Sequence, residues 1–191
     1  MKKSLFGLLL LATGLAAFQR AAPTTTYTLD PAASRLTWIG YAAVGPWAPS
    51  GTIQLRGGTL AVEPGGRIRA GQLDVAMTTL AHDNADLQAH LRAPDFFDVT
   101  RFPTATFVLR TLARDSVFGT LTLKGLPRPV AFPVHLSRSP AGLRLTGTAT
   151  VDRTRFGVRY NSPRFFSDLG DHAIRDDFQL TFDLVARPAQ P

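Results

Sequence analysis

The chain has 191 residues and no cysteine, which allows one domain with a sizeable core and excludes disulfide staples, thiolate metal sites and a cysteine nucleophile. The formal net charge of +7, about +5 without Lys2 and Lys3, comes from arginines placed singly, as at Arg35, Arg56, Arg67, Arg69, Arg110 and Arg144. Such spacing suits the outward face of strands rather than the clustered basic and aromatic surface of a nucleic-acid module, so no nucleic-acid partner is expected.

Residues 1–22 read as a secretory signal peptide. Met1-Lys2-Lys3 supplies the positive start, residues 5–17 form an apolar run, and Ala16 and Ala17 offer small residues before the polar Gln19-Arg20. The run is shorter than the roughly twenty residues a membrane span needs. Its removal would leave residues 23–191 as a single domain, in the periplasm or outside the cell.

Beyond it, apolar and polar residues alternate at period two between Gly and Pro punctuation, the pattern of antiparallel strands with one buried face. Strands are expected at 36–41, 51–55, 59–63 and 68–78. One helix follows at 84–92, where Asp83 can cap, Asp86 favours the first turn, Leu87 and Leu91 share a face, and Pro94 stops the run. After a strand at 104–111, Leu121 and Leu123 alternate with threonines. A turn at 125–128 then leads into Val130, Phe132, Val134 and Leu136. Pro133 in that second run cannot donate to a ladder and marks an edge or a bulge. Leu143, Leu145, Gly147, Ala149 and Val151 form the next strand, and Phe178, Leu180, Phe182 and Leu184 the last. Eight or nine strands with so little helix make an all-β barrel or sandwich.

His90-Leu91-Arg92-Ala93-Pro94-Asp95-Phe96-Phe97-Asp98, followed by Phe102-Pro103-Thr104-Ala105-Thr106-Phe107, resembles the "HL-x-x-x-DFFD" and "(Y/F)P-x-(I/A)-x-F" segments of the YceI-like family of lipocalin-like, polyisoprenoid-binding proteins. Gly119-Thr120-Leu121-Thr122-Leu123-Lys124-Gly125 resembles its "G-x-L-T-(I/L)-K-G" hairpin, and Asp152-Arg153-Thr154-Arg155-Phe156-Gly157 its "D-R-x-x-(F/Y)-G" element. The opening Asp30-Pro31-Ala32-Ala33-Ser34 fits as well, and the pieces keep the family's order from about Tyr27 to Ala186. Two regions depart from it: Trp38-Ile39-Gly40-Tyr41 with the following 45–51 turn, and a longer final loop at 160–171. The resemblance implies a lipocalin-like antiparallel β-barrel of about eight strands with one short helix in a loop. It also implies a partner, an isoprenoid lipid or isoprenoid quinone, held in the barrel interior.

The physical case for that role stands beside the resemblance. Each buried methylene is worth about 0.8 kcal/mol, so ten give roughly 8 kcal/mol before ordering costs, enough for micromolar binding without a charged contact. Alternation places Trp38, Val75, Met77, Phe107, Leu109, Leu121, Phe132, Leu145, Phe178, Leu180 and Phe182 inward as the candidate lining. His90, Arg92, Arg153, Arg159, Tyr160 and Asn161 are candidates for a polar mouth, arginine suiting a phosphate and Tyr or Asn a quinone oxygen. The alternative role for those arginines is to pair with Asp168, Asp171, Asp176 and Asp177 and fix the last loop.

Barrels of this size can also fill with their own side chains, which leaves open a stress-related protein-interaction module without lipid. A metal-dependent or acid-base hydrolase would draw on His82, Asp86 and His90 at spacings of four, or on Asp95 and Asp98. His82 precedes the helix cap, however, and the chain has no Gly-x-Ser-x-Gly, no His-Glu-x-x-His and no phosphate-binding glycine loop. No catalysis, metal or cofactor is expected. Transient contact with a membrane surface and pairing of two barrels stay open.

Overall fold

The alternating segments become ten antiparallel strands of one sheet among the described residues. The computed structural model describes residues 24–189, and the expected signal segment lies outside them. The strands are β1 (Thr25–Leu29), β2 (Arg35–Ile39), β3 (Ser50–Val62), β4 (Ile68–Ala81), β5 (Thr104–Ala113), β6 (Ser116–Leu123), β7 (Leu126–Pro133), β8 (His135–Ser139), β9 (Gly142–Asp152) and β10 (Asp177–Pro188). The one α-helix among the described residues, α1 (Ala85–Arg92), joins β4 to β5, and the strands lie in the order β7-β6-β5-β4-β3-β1-β10-β9-β8, with β2 also between β3 and β10.

Three strand readings change. β1 was not expected, because its TTYTL sequence buries only Leu29. It and β2 share one place in the wall, each pairing with both β3 and β10. Between them Asp30 accepts the Ala32 and Ala33 amides on Oδ1, at 3.0 and 3.1 Å, and turns the chain. The expected strands 51–55 and 59–63 are one long β3, since Gly57 and Gly58 mark a register shift against β4 rather than a turn.

The expected strand 130–136 instead divides at Val134: β7 pairs with β6, and β8 pairs with β9. One continuous stretch of chain thus closes the wall by changing neighbours next to Pro133, which is an edge as expected. Pro127, Pro129 and Pro133 face Thr122, Thr120 and Ser116 of β6 at three of four alternate places, Ala131 taking the fourth opposite Phe118. Lacking an N–H, they occupy the places whose amide would point away from β6. The free edge of β7 is therefore poor in donors, and no ladder joins it to β9 among the described residues. Arg128 Nε crosses this seam to the Arg155 carbonyl at 3.0 Å.

Two local readings shift by a residue or two. The β6–β7 turn is Lys124-Gly125, with φ of 51° and 74°, so Leu126 already pairs with Leu123; this is the two-residue hairpin that needs left-handed backbone at both centres. Asn84 rather than Asp83 caps α1, its side chain accepting the Leu87 amide at 2.9 Å.

Candidate functional site

The interior has a wide end and a narrow end. The wide end is a cavity of about 400 Å³ beneath the β2–β3 loop, α1 and the segment between β9 and β10, within the range of small-molecule sites. Strands present Trp38, Ile53, Val75, Met77, Ala105, Leu121, Leu123, Val151 and Leu180 to it, α1 adds Leu87, His90 and Leu91, and the chain after α1 adds Phe96 and Phe97. α1 reaches the cavity because its cap fixes where it starts and Ala93, in extended conformation before Pro94, ends it. An aromatic series crosses the wall from His90 to Tyr160 (centroids 4.4 Å apart), from Tyr160 to Phe96 (6.0 Å), then Phe97 (5.4 Å) and Phe178 (6.1 Å).

The narrow end is a chamber of about 100 Å³ among the strands beyond Val75, Ala105, Leu121, Val151 and Leu180, which line both spaces. Here Phe132 packs against Phe107 and Phe182, with centroids 5.3 and 5.6 Å apart. Phe107 lies over Gly119 of β6 and Phe182 over Gly147 of β9, where an added Cβ would meet the rings at 2.3 and 2.7 Å. Glycine at these two places lets the rings reach the wall, leaving little free space.

The polar groups gather beside the wide end. Arg153 is only 2% exposed and gives Nε, Nη1 and Nη2 to the carbonyls of Arg175, Val158 and Ile174 at 3.0 to 3.1 Å. Burial lowers the pKa of its guanidinium, against the charges of Asp176 and Asp152 that raise it. Arg164 pairs with Asp152 and Asp176, each at 3.2 Å, and Ser162 donates to Asp176 at 2.5 Å. Burial pushes the Asp152 carboxyl up, but the Thr154 hydroxyl and amide and the Arg164 charge outweigh it and leave the group below the usual carboxylate range. The result is a segment tied to the barrel by a buried cation at one point and by ion pairs at others. The only buried side-chain polar atom without a partner among the described residues is Trp38 Nε1.

Every residue expected in the apolar lining borders one of the two spaces. Trp38, Met77 and Phe178 line the wide end, Phe107, Leu109, Phe132, Leu145 and Phe182 the narrow end, and Val75, Leu121 and Leu180 both. Of the polar mouth, His90, Arg153, Tyr160 and Asn161 come together at the wide end. Arg92 and Arg159 do not. Arg92 Nε donates to the Leu80 carbonyl at 2.9 Å, and the Arg159 guanidinium stacks 4.6 Å over Phe165. Asp176 and Asp177 do pair with arginines, as the loop-fixing alternative required, but with Arg164 and Arg175. Arg153 fixes the loop through carbonyls instead.

His82 and His90 are engaged separately. His82 Nδ1 accepts the Asn84 amide at 2.8 Å, and His90 Nε2 lies 2.9 Å from Asp95. Among the described residues no group of three His, Asp or Glu side chains is placed to hold a metal ion. Sequence reasoning missed Tyr41, Trp47, Leu87 and Leu91 as lining, because loops and a short helix carry no period-two signal. Ile53, Leu123 and Val151 were legible by alternation and passed over.

The sequence profile of the YceI-like domain matches residues 27–186. A UPF0312 protein of Staphylococcus aureus (strain USA300) is 34% identical over 79 residues, 38% of this chain and 46% of that protein; the match thus spans about half the length of such curated relatives. Among solved structures, Burkholderia cenocepacia BcnA superposes with a TM-score of 0.64 at 22% identity, covering 82% of this chain and 98% of that one. A polyisoprenoid binding domain from Saccharophagus degradans, implicated in plant cell wall breakdown, gives 0.64 at 14% identity, covering 86% and 99%. The Campylobacter jejuni YceI protein gives 0.56 at 15%, covering 80% and 85%. At these identities the structures establish the shared lipocalin-like fold.

Proposed function

Because the chain belongs to the YceI-like domain family, we propose that it binds an apolar ligand, an isoprenoid lipid or isoprenoid quinone, in the barrel interior and sequesters or transports it. The observation that carries this reading is the wide cavity of about 400 Å³, whose walls are almost wholly apolar and run on into the narrow end. A filled barrel would have no such space, and that weighs against the interaction-module alternative. The Saccharophagus degradans domain, of similar fold, is a polyisoprenoid binding domain, which supports the same ligand class. In this reading the chain end enters first, toward the phenylalanines, and any oxygen on the head group stays near Tyr160, Asn161 and His90. The side chains perform no chemical step. The expected leader would deliver the protein to the periplasm or the exterior, where such a ligand needs shielding from water.

Ala105→Phe tests the reading. Ala105 is buried and lines both chambers, so a benzyl group there fills the passage between them. Titration with a prenyl alcohol should show saturable binding to the wild type and at least a tenfold loss in the variant, since losing two buried methylenes costs about 1.6 kcal/mol and about 1.4 kcal/mol is tenfold. Its melting temperature should stay within a few degrees, since the ring enters existing space. Equal binding by both proteins would place the ligand elsewhere.

A further inference from the structure

We propose that the rim of the wide end docks on a lipid bilayer through two loops, so that the mouth of the cavity faces the membrane. The purpose rests on the carrier reading above; the geometry does not. Val44, Trp47, Phe165 and Phe166 are large apolar side chains, each between 42% and 57% exposed. They lie in the β2–β3 loop and in the segment between β9 and β10, the two loops that border the mouth. Trp47 also lines the cavity, so the exposed apolar surface of the β2–β3 loop is continuous with the interior.

The two loops form one rim. Ala42 bridges to Ile174, the Ala43 amide donates to the Ala173 carbonyl at 2.8 Å, and the Arg175 amide donates to the Tyr41 carbonyl at 2.9 Å. Ordered backbone of this kind presents its tips without a further entropic cost on docking. Trp and Phe are the residues that settle at a membrane interface, and the Arg159 guanidinium stacked over Phe165 sets a cation beside that ring, as suits head-group level.

Charge specifies the kind of surface. Residues 40–49 carry no ionisable side chain except Tyr41, and between β9 and β10 Arg153 is held by carbonyls and Arg164 and Arg175 are paired with Asp152, Asp176 and Asp177, which leaves Arg155 and Arg159 against Asp168 and Asp171. Docking is therefore driven by apolar insertion, needs no anionic lipid and responds weakly to salt. A second copy of the chain on the same rim would cover the mouth, whereas a bilayer is where an isoprenoid already resides.

The test is flotation with phosphatidylcholine vesicles, together with quenching of tryptophan emission by brominated acyl chains. Trp47 is the native reporter, because Trp38 is buried. Wild-type protein should float and be quenched. Val44→Ser and Phe165→Ser/Phe166→Ser, none of which lines the cavity, should partition on the order of tenfold less well, with unchanged melting and unchanged uptake of a prenyl alcohol added from solvent. All variants share one N-terminus, so the comparison isolates the loops. Wild-type protein that stays with the aqueous phase, or variants that float equally, would overturn the proposal. So would a dimer that the Phe165→Ser/Phe166→Ser variant dissolves, which assigns the rim to a second copy. Vesicle binding without ligand uptake would keep the docking surface and remove the carrier; uptake without vesicle binding would do the reverse.

Discussion

The two ends of the barrel are built from the same alternating strands and end in opposite states. At the narrow end phenylalanines from β5, β7 and β10 meet in the middle, those of β5 and β10 over glycines of the adjoining strands, so side chains fill most of the space. At the wide end the strand residues stop short, and a loop, a helix and a long return segment stand around the gap instead. A regular wall can be filled or left hollow according to which residues face inward and what caps it. The ligand reading therefore depends on the cap more than on the wall.

Truncating one phenylalanine at each end puts that difference to the sharpest test. Phe182→Ala at the packed end should cost about 3 to 5 kcal/mol in denaturant unfolding, the range for a large buried ring. Phe178→Ala, beside the cavity, should cost clearly less, because part of its surface already faces open space, and should weaken prenyl binding instead. Equal stability losses, with no change in binding, would erase the distinction between the ends.

Next in size is the anchor of the cap. Arg153→Met keeps the length and removes the donors, leaving one buried and two part-buried carbonyls without their partner. A loss of about 3 kcal/mol is expected, accompanied by early proteolytic cutting in residues 157–176 while the strands stay protected. Unchanged cutting there would show that the ion pairs alone hold the segment.

A smaller effect should follow pH. Because the Asp152 carboxyl is held below its unfolded value, its contribution is complete above about pH 4, the ordinary aspartate range, and is lost as pH falls through the lowered folded value. Wild-type melting temperature should then fall on acidification more steeply than that of Asp152→Asn. Parallel curves would show that Asp152 adds nothing beyond solvent-screened pairing.

Much of the wall was legible in the sequence. Alternation located the strands from β2 onward and placed the lining side chains inward, since a period of two leaves a residue only two faces to choose from. It failed where the physics is not periodic. The polar β1 is a strand because its neighbours pair with it, and Gly57-Gly58 looks like a turn unless the partner strand is known to continue past it. Pro133 gave correct warning of an edge, but the change of partners at Val134 is a tertiary fact. The cap was least legible. Arg92 and Arg159 have the same chemistry as Arg153, and only the carbonyl of Leu80 and the ring of Phe165 decide that they turn away.

Occupancy of the wide end is the central claim, and the most direct measurement is mass spectrometry under non-denaturing conditions on protein isolated from its own host without detergent, followed by organic extraction. The account predicts a stoichiometric adduct whose extracted mass is that of a prenyl chain or isoprenoid quinone, substoichiometric in Ala105→Phe isolated in the same way. Ligand-free wild-type protein that also fails to take up added prenyl lipid would contradict it.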